Sequence, residues 1–151
     1  MAFQIQHINI EDFDSLMELW LSVGMSKRAL NPVDDSREGI ERYLKRNPST
    51  CFKVVTEDKK IAGVILSGHD GRRGTVHHLC VNPEYQGMGV GRMLVEAMEN
   101  GLKAEGIQKI FVLVFSDNEK GNGFWQKMGY SIRTDLNYRN KSLNSEIPVG
   151  K

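Results

Sequence analysis

Three glycines at alternate positions, Gly87, Gly89 and Gly91, separate a strand-like run from an amphipathic helical pattern, and no other feature constrains the chain as much. The run is Thr75 to Val81, closed by Asn82-Pro83, and the pattern extends from Val90 to Lys103. Stripping side chains from a short arc of backbone lets its N–H groups converge on an anion. At a helix N-terminus the unpaired donors and the macrodipole both favour negative charge. The stretch Gln86-Gly87-Met88-Gly89-Val90-Gly91-Arg92 therefore reads as a pocket for a phosphate or diphosphate. It is not a P-loop, because Arg92-Met93 follow the last glycine where Lys-Ser/Thr would be needed. It is not the dinucleotide G-x-G-x-x-G either, since single residues separate the glycines.

The flanking sequence supplies the rest of an alternating architecture. Phe3 to Ile10 reads as a first strand. Phe13, Leu16, Met17, Trp20 and Val23 recur at helical spacing up to Gly24, and a second helix fits Ser36 to Arg46. Met25 to Val33 has no period and reads as a loop. Two β-rich runs, Cys51–Thr56 and Lys60–Ser67, flank Glu57-Asp58-Lys59 as a hairpin. Ile110 to Phe115 is apolar without alternation, as expected of a strand covered on both faces. Strand 75–81, helix 90–104 and strand 110–115 then form a βαβ unit with parallel strands. Glu99 and Lys103 are spaced for an i,i+4 pair. A helix at Glu119–Met128 ends at Gly129, and two closing strands fit Tyr130–Thr134 and Leu136–Ser142.

Composition narrows the function classes. The 151 residues suit one domain, with about 143–151 as a polar tail. A formal net charge of +1 supplies no electrostatic case for nucleic acid or an anionic membrane. No stretch is apolar for long enough to span a bilayer, and no secretory leader is apparent. Cys51 and Cys80 lack metal-ligand spacing and read as reduced thiols, which points to a cytoplasmic protein with no metal. Arg72 and Arg73 read as solvated, with contact to substrate or to a cofactor phosphate as the alternative.

Gln86-x-x-Gly89-x-Gly91, after a strand ending in Leu79-Cys80-Val81, resembles the Q/R-x-x-G-x-G/A motif of the GNAT superfamily of acyl-CoA-dependent N-acyltransferases. Asn118-x-x-Gly121-x-x-Phe124-Trp125-x-x-x-Gly129-Tyr130 resembles that family's second signature, with Gly in place of Ala and Trp in place of Tyr. The likeness is strong over the last half of the chain; the first half shares only the order of elements. It implies an α/β (α+β) GNAT fold: a mixed, mostly antiparallel sheet with helices on both faces and a central parallel pair splayed to hold coenzyme A. It further implies acetyl-CoA as cosubstrate, its pantetheine arm paired with Leu79, Cys80 and Val81. Its diphosphate would lie on Gln86, Gly87, Met88, Gly89, Val90, Gly91 and Arg92, with Asn118, Gly121, Phe124 and Trp125 along the arm. Asn118 equally fits a helix cap.

Acetyl transfer to an amine needs a deprotonated nucleophile, and an alkylammonium titrates at about 10.4. A base is therefore useful, and where the resemblance implies a carboxylate this chain has His77, followed by His78. Adjacent strand residues face opposite sides, so one of the two reaches the cleft, and His77 is preferred. The glutamate that other members carry on the next strand is Leu113 here, and the usual tyrosine acid is Trp125, leaving Tyr130 and Tyr138 as substitutes. Asp34, Asp35 and Glu38 either attract a cationic amine or serve the helix N-terminus. The acceptor would be a small-molecule or peptide amine, and a homodimer stays open. Two other readings remain open: a coenzyme A-binding regulatory module of the same fold that has lost turnover, and a nucleotide-phosphate binder.

Overall fold

The computed structural model describes residues 2–151. Five strands form one sheet in the order β1-β2-β3-β4-β5: Gln4–His7, Phe52–Val55, Ile61–His69, Gly74–Val81 and Ile110–Val112. All neighbours run antiparallel except β4 and β5, which are parallel. The helices are α1 (Phe13–Ser22), α2 (Arg37–Arg46), α3 (Val90–Ala104) and α4 (Glu119–Lys127).

Each helix starts and stops where local chemistry requires. Gly24, at φ 78°, ends the α1 segment in the left-handed conformation. The Ser36 hydroxyl caps α2 by accepting the Gly39 N–H, and the Asn118 side chain caps α4 by accepting the Gly121 N–H. On one face of the sheet α3 buries Val90, Leu94, Val95, Met98 and Leu102 against Phe52, Val54, Ala62, Ile65 and Val76, with Trp125 of α4 beside them. On the other face α1 and α2 bring Leu16, Trp20, Ile40 and Leu44 onto Cys51, Val64, Leu66 and Cys80. The middle strand β3 is covered on both sides, which accounts for its apolar run.

Three expectations are corrected. The two closing strands do not form: after α4 the chain is irregular, and Ile132, Leu136 and Tyr138 are 75, 62 and 68% exposed. Strand propensity needs a neighbouring ladder and a surface to cover. Here Tyr130 is instead held on the α3 side, stacked on Trp125 and donating its hydroxyl to Glu99 at 2.7 Å. That bond also replaces the expected Glu99–Lys103 pair. Finally, the β5 segment is covered on one face only. Ile110, Val112 and Val114 pack against the α3 core, whereas Phe111, Leu113 and Phe115 are exposed, Phe115 beneath the Arg28 guanidinium at 3.8 Å.

Candidate active site

The glycine segment forms a turn that enters α3 directly. Gly87 and Gly89 sit at φ 78° and 84°, a region that L side chains avoid, and Gly89 is the last residue before the helix. Among the described residues, no backbone N–H from Gly87 to Arg92 meets a protein acceptor. Gly91 has a different task. A Cβ there would lie 3.0 Å from the Phe124 ring, so its smallness lets α4 close onto the first turn of α3. Gln86 accepts a 2.8 Å hydrogen bond from Lys120, which carries a cation to the edge of the turn. Arg92 points along the helix surface toward Glu96.

Beside this turn the two parallel strands part. Gly74, Thr75 and Val76 pair with Ile110, Phe111 and Val112, and the ladder then stops. From His77 to Val81 strand β4 remains hydrogen-bonded to β3, but its edge toward β5 carries no ladder. The cause is in β4 itself. Leu66 faces His77 and Val64 faces Cys80, so one extra residue is inserted, and His78 takes φ 53°. An extra residue bends and twists its strand and leaves backbone groups unpaired. A left-handed non-glycine residue costs about 1–3 kcal/mol, so its surroundings must hold it there.

The inserted residue also corrects the expectation about the histidines. Alternation fails across the bulge, and both rings lie on the α1/α2 side. His77 meets Tyr43 of α2 edge-on at 5.6 Å, and His78 lies against Trp20 of α1 at 5.0 Å. Nε2 of His78 is 2.7 Å from Oδ1 of Asp35, whose other oxygen accepts the Asn31 N–H at 2.9 Å. Asp35 is 5% exposed, so it belongs neither to the solvent nor to the helix terminus. His77 is exposed, yet the protein packed around part of the ring has consequences. Desolvation first, then repulsion from His78, lowers its pKa from the usual 6.5, against the pull of Asp35 and Asp34. The shift favours the neutral ring.

The remaining candidates fall as follows. Cys80 is buried and its thiol is pushed up to about 12 by desolvation, so it packs and does not act as a nucleophile. Asn118 caps α4, and Gly121 is small because a Cβ there would meet the Asn118 amide at 2.5 Å; the Asn118 Nδ2 keeps no protein partner among the described residues. Leu79 and Val81 border the α3 core. Trp125 is buried between Phe124 and Tyr130. Burial and Glu99 raise the pKa of Tyr130 above its usual value, which leaves it a poor proton donor, and Tyr138 lies on the exposed tail. Arg72 and Arg73 stand in the β3–β4 turn, at the far end of β4 from the glycine turn, where their N–H groups donate to Asp70. That position excludes them from contact with a ligand phosphate at the turn. A groove of about 610 Å³ beside Phe3, Lys53 and Ile61 lies at the β1–β2 edge, away from all of this chemistry.

Sequence reading missed three participants. In sequence Asp35 reads as a helix-end residue or an attractor of amines, and neither Tyr43 nor Lys120 stands out. A pairing across 43 residues leaves no local signal, whereas Lys120 lies within the second motif and its sign alone could have marked it.

Comparison with known proteins agrees with this geometry. A model described as the acetyltransferase (GNAT) family matches residues 13–130. An acetyltransferase of Pectobacterium atrosepticum is 32% identical over 127 residues, covering 84% of this chain and 86% of that protein. The PaiA N-acetyltransferase of Thermoplasma acidophilum, solved with coenzyme A, superposes with a TM-score of 0.75 at 20% identity, over 88% of this chain and 92% of that one. An aminoglycoside acetyltransferase from an uncultured soil metagenomic sample, solved with sisomicin, gives 0.74 at 18% identity, over 94% and 97% of the two chains. The family match takes in the glycine turn, the parted strands and the Asn118 segment together, and the chain belongs to the GNAT acetyltransferase family.

Proposed function

We propose that this chain is an N-acetyltransferase that moves the acetyl group of acetyl-CoA to a primary amine of a small molecule or peptide, by direct attack in a ternary complex. The observation that carries the reading is the ladder-free edge of β4 ending beside a turn of unpaired amides. An extended arm with amide groups can add to that edge as a strand would, through Leu79, Cys80 and Val81. The diphosphate would meet the N–H groups of the segment from Gln86 to Arg92, with Lys120 adding charge. Asn118 Nδ2, Gly121 and Phe124 would flank the arm, and Trp125 would support Phe124 from the core. When bound, acetyl-CoA supplies an activated acetyl group; the chain orients it and manages protons.

The amine arrives protonated, and one imidazole at the bulge is the proton acceptor, placed where the parted strands begin. No side-chain acid is needed for the departing sulfur, because a thiol titrates near about 8.5 and water can protonate it. The acceptor would enter from the α1/α2 side, between the Asn31–Ser36 loop and the exposed side chains of Leu113 and Phe115. The whole chain would act as one domain, and in the cytoplasm.

The test is release of free thiol from acetyl-CoA with a panel of amines, among them polyamines, an aminoglycoside and N-terminal peptides. Saturable transfer to one class is the expected result. A second reading is favoured by one observation: Leu113, Trp125 and Tyr130 leave no carboxylate or free phenol at the usual positions. On that reading the chain is a coenzyme A-binding module without turnover, and tight acetyl-CoA binding with no transfer to any acceptor would establish it. Preference for ATP or NAD over coenzyme A in thermal shift would contradict both.

A further inference from the structure

Two histidines share the acceptor side of the bulge, but their surroundings differ. His77 has no hydrogen-bond partner among the described residues, so nothing there selects which ring nitrogen carries its proton. His78 is held from three directions. Its backbone is fixed in the left-handed region, its ring lies on the Trp20 indole, and Nε2 meets the Asp35 carboxylate at 2.7 Å. Asp35 cannot swing out to solvent, because its second oxygen is engaged by the Asn31 N–H. The Asn31 side chain in turn ties Val33, Asp34 and itself into one tight loop.

We propose that Asp35 is a positioning residue for His78, and that His78, rather than His77, takes the proton from the incoming amine; this deepens, and rests on, the acetyl-transfer reading above. An ionised carboxylate only accepts, so the contact is an Nε2–H bond donated to Asp35. Neutral His78 then carries its lone pair on Nδ1, a nitrogen with no protein partner among the described residues. The side chain is 14% exposed, enough to offer that nitrogen and too little for the ring to turn over freely. A base held by a third group in the correct tautomer is the arrangement that activates nucleophiles in unrelated enzymes. Of titratable groups, His78 faces Asp35 directly and has His77 beside it on the strand, while Asp34 and Tyr43 lie near His77.

The accounting closes without a further reactant. Nδ1 of His78 takes one proton from the ammonium, and the freed amine nitrogen bonds to the thioester carbonyl carbon as the carbon–sulfur bond breaks. Water protonates the departing sulfur and takes up the imidazolium proton in turn, the second amine proton also goes to water, and His78 is neutral again.

The experiment joins kinetics to ring ¹⁵N NMR on the full chain. In the wild type, His78 should show a protonated Nε2. In Asp35→Asn the amide can turn its NH₂ toward the ring and reverse the tautomer while still accepting the Asn31 N–H, which keeps the loop folded. With that reversal kcat should fall by roughly 100-fold or more, with KM for acetyl-CoA within about twofold. Asp35→Glu should restore part of kcat, and His77→Gln should leave the acidic limb of the pH profile in place. The proposal is overturned if Asp35→Asn keeps kcat within about threefold, if wild-type His78 carries its proton on Nδ1, or if His77→Gln removes the acidic limb. Absence of transfer by the wild type to any amine would defeat the acetyl-transfer reading instead. The nitrogen spectrum would then decide the positioning role alone: reversal in Asp35→Asn retains it, and an unchanged spectrum ends it.

Discussion

On the α3 side of the sheet, five fully buried side chains of one helix meet an apolar surface, and the polar groups left unpaired at its edge are backbone amides of a glycine turn. On the α1/α2 side the core contains two thiols, a carboxylate–imidazole pair, and two polar atoms, Trp20 Nε1 and Tyr43 OH, with no hydrogen-bond partner among the described residues. On the proposed function the first side recognises its ligand with main chain, which every sequence possesses, and can fill its interior with hydrocarbon. On the same reading the second recognises and deprotonates the acceptor with side chains, and it keeps polar atoms in places where folding alone would not put them. The two halves meet along β4, whose inserted residue touches both: the edge toward β5 carries no ladder beyond Val76, and both imidazoles lie on the α1/α2 side.

The sharpest break of this contrast is Gly89→Asp. The new Cβ has room, but its backbone is left-handed and its charge faces the amide cluster. Acetyl-CoA affinity should drop by roughly 100-fold or more, equivalent to about 2.7 kcal/mol or more, by calorimetry. Unchanged affinity would remove the main-chain account of the first side. Next comes Gly39→Ala. A Cβ at that position lies 2.3 Å from the Asp34 carbonyl and 2.4 Å from that of Val33, so α2 and the loop bearing Asp35 must separate. Stability should fall by about 1–3 kcal/mol in urea titration, and kcat should fall while acetyl-CoA affinity holds. Equal losses in both would show that the halves are not separable.

Tyr43→Phe asks whether the second side gives up stability for recognition. Removing a buried hydroxyl that lacks a partner should leave the midpoint unchanged or raise stability by up to about 1 kcal/mol, while KM for the acceptor rises. A clear destabilisation would mean that the hydroxyl is already satisfied. The smallest effect is in pH. The folded chain lowers the pKa of His77 below the ordinary 6.5, chiefly by desolvation, so the unfolded chain binds that proton more readily. Its contribution to stability is thus complete above about pH 6.5 and is lost as pH falls through the folded value. His77→Gln should flatten the decline in melting temperature over that window; an identical slope would show that the ring is not desolvated.

How far the sequence could be read follows the same division. The glycine turn, the Asn118 segment and the βαβ unit are local patterns, each confined to a few turns of chain, and they were legible. Helices α1 and α2 were legible from periodicity and caps. The His78–Asp35 bond was not, because neither residue marks its partner. Nor was the bulge, since a one-residue insertion looks like any other pair of adjacent histidines, and the alternation rule then assigns the second ring to the wrong face. The segment after Gly129 carries good strand propensity but has no ladder to join, and the apolar run of β5 hid that one of its faces is open. In both cases propensity stood in for a neighbour that only the tertiary arrangement could supply.

The extra residue in β4 also makes removal a different act from replacement. Any side chain at position 78 still counts as one step along the strand, so Leu79 and Val81 keep their side and Cys80 keeps the other. A chain with that position excised would regain plain alternation, with Leu79 and Val81 still toward α3 and Cys80 still toward α1, but the bulge that splays the strand would be gone. The cleft is in this sense stored as an odd number, one that point substitution leaves intact and a single-codon deletion erases.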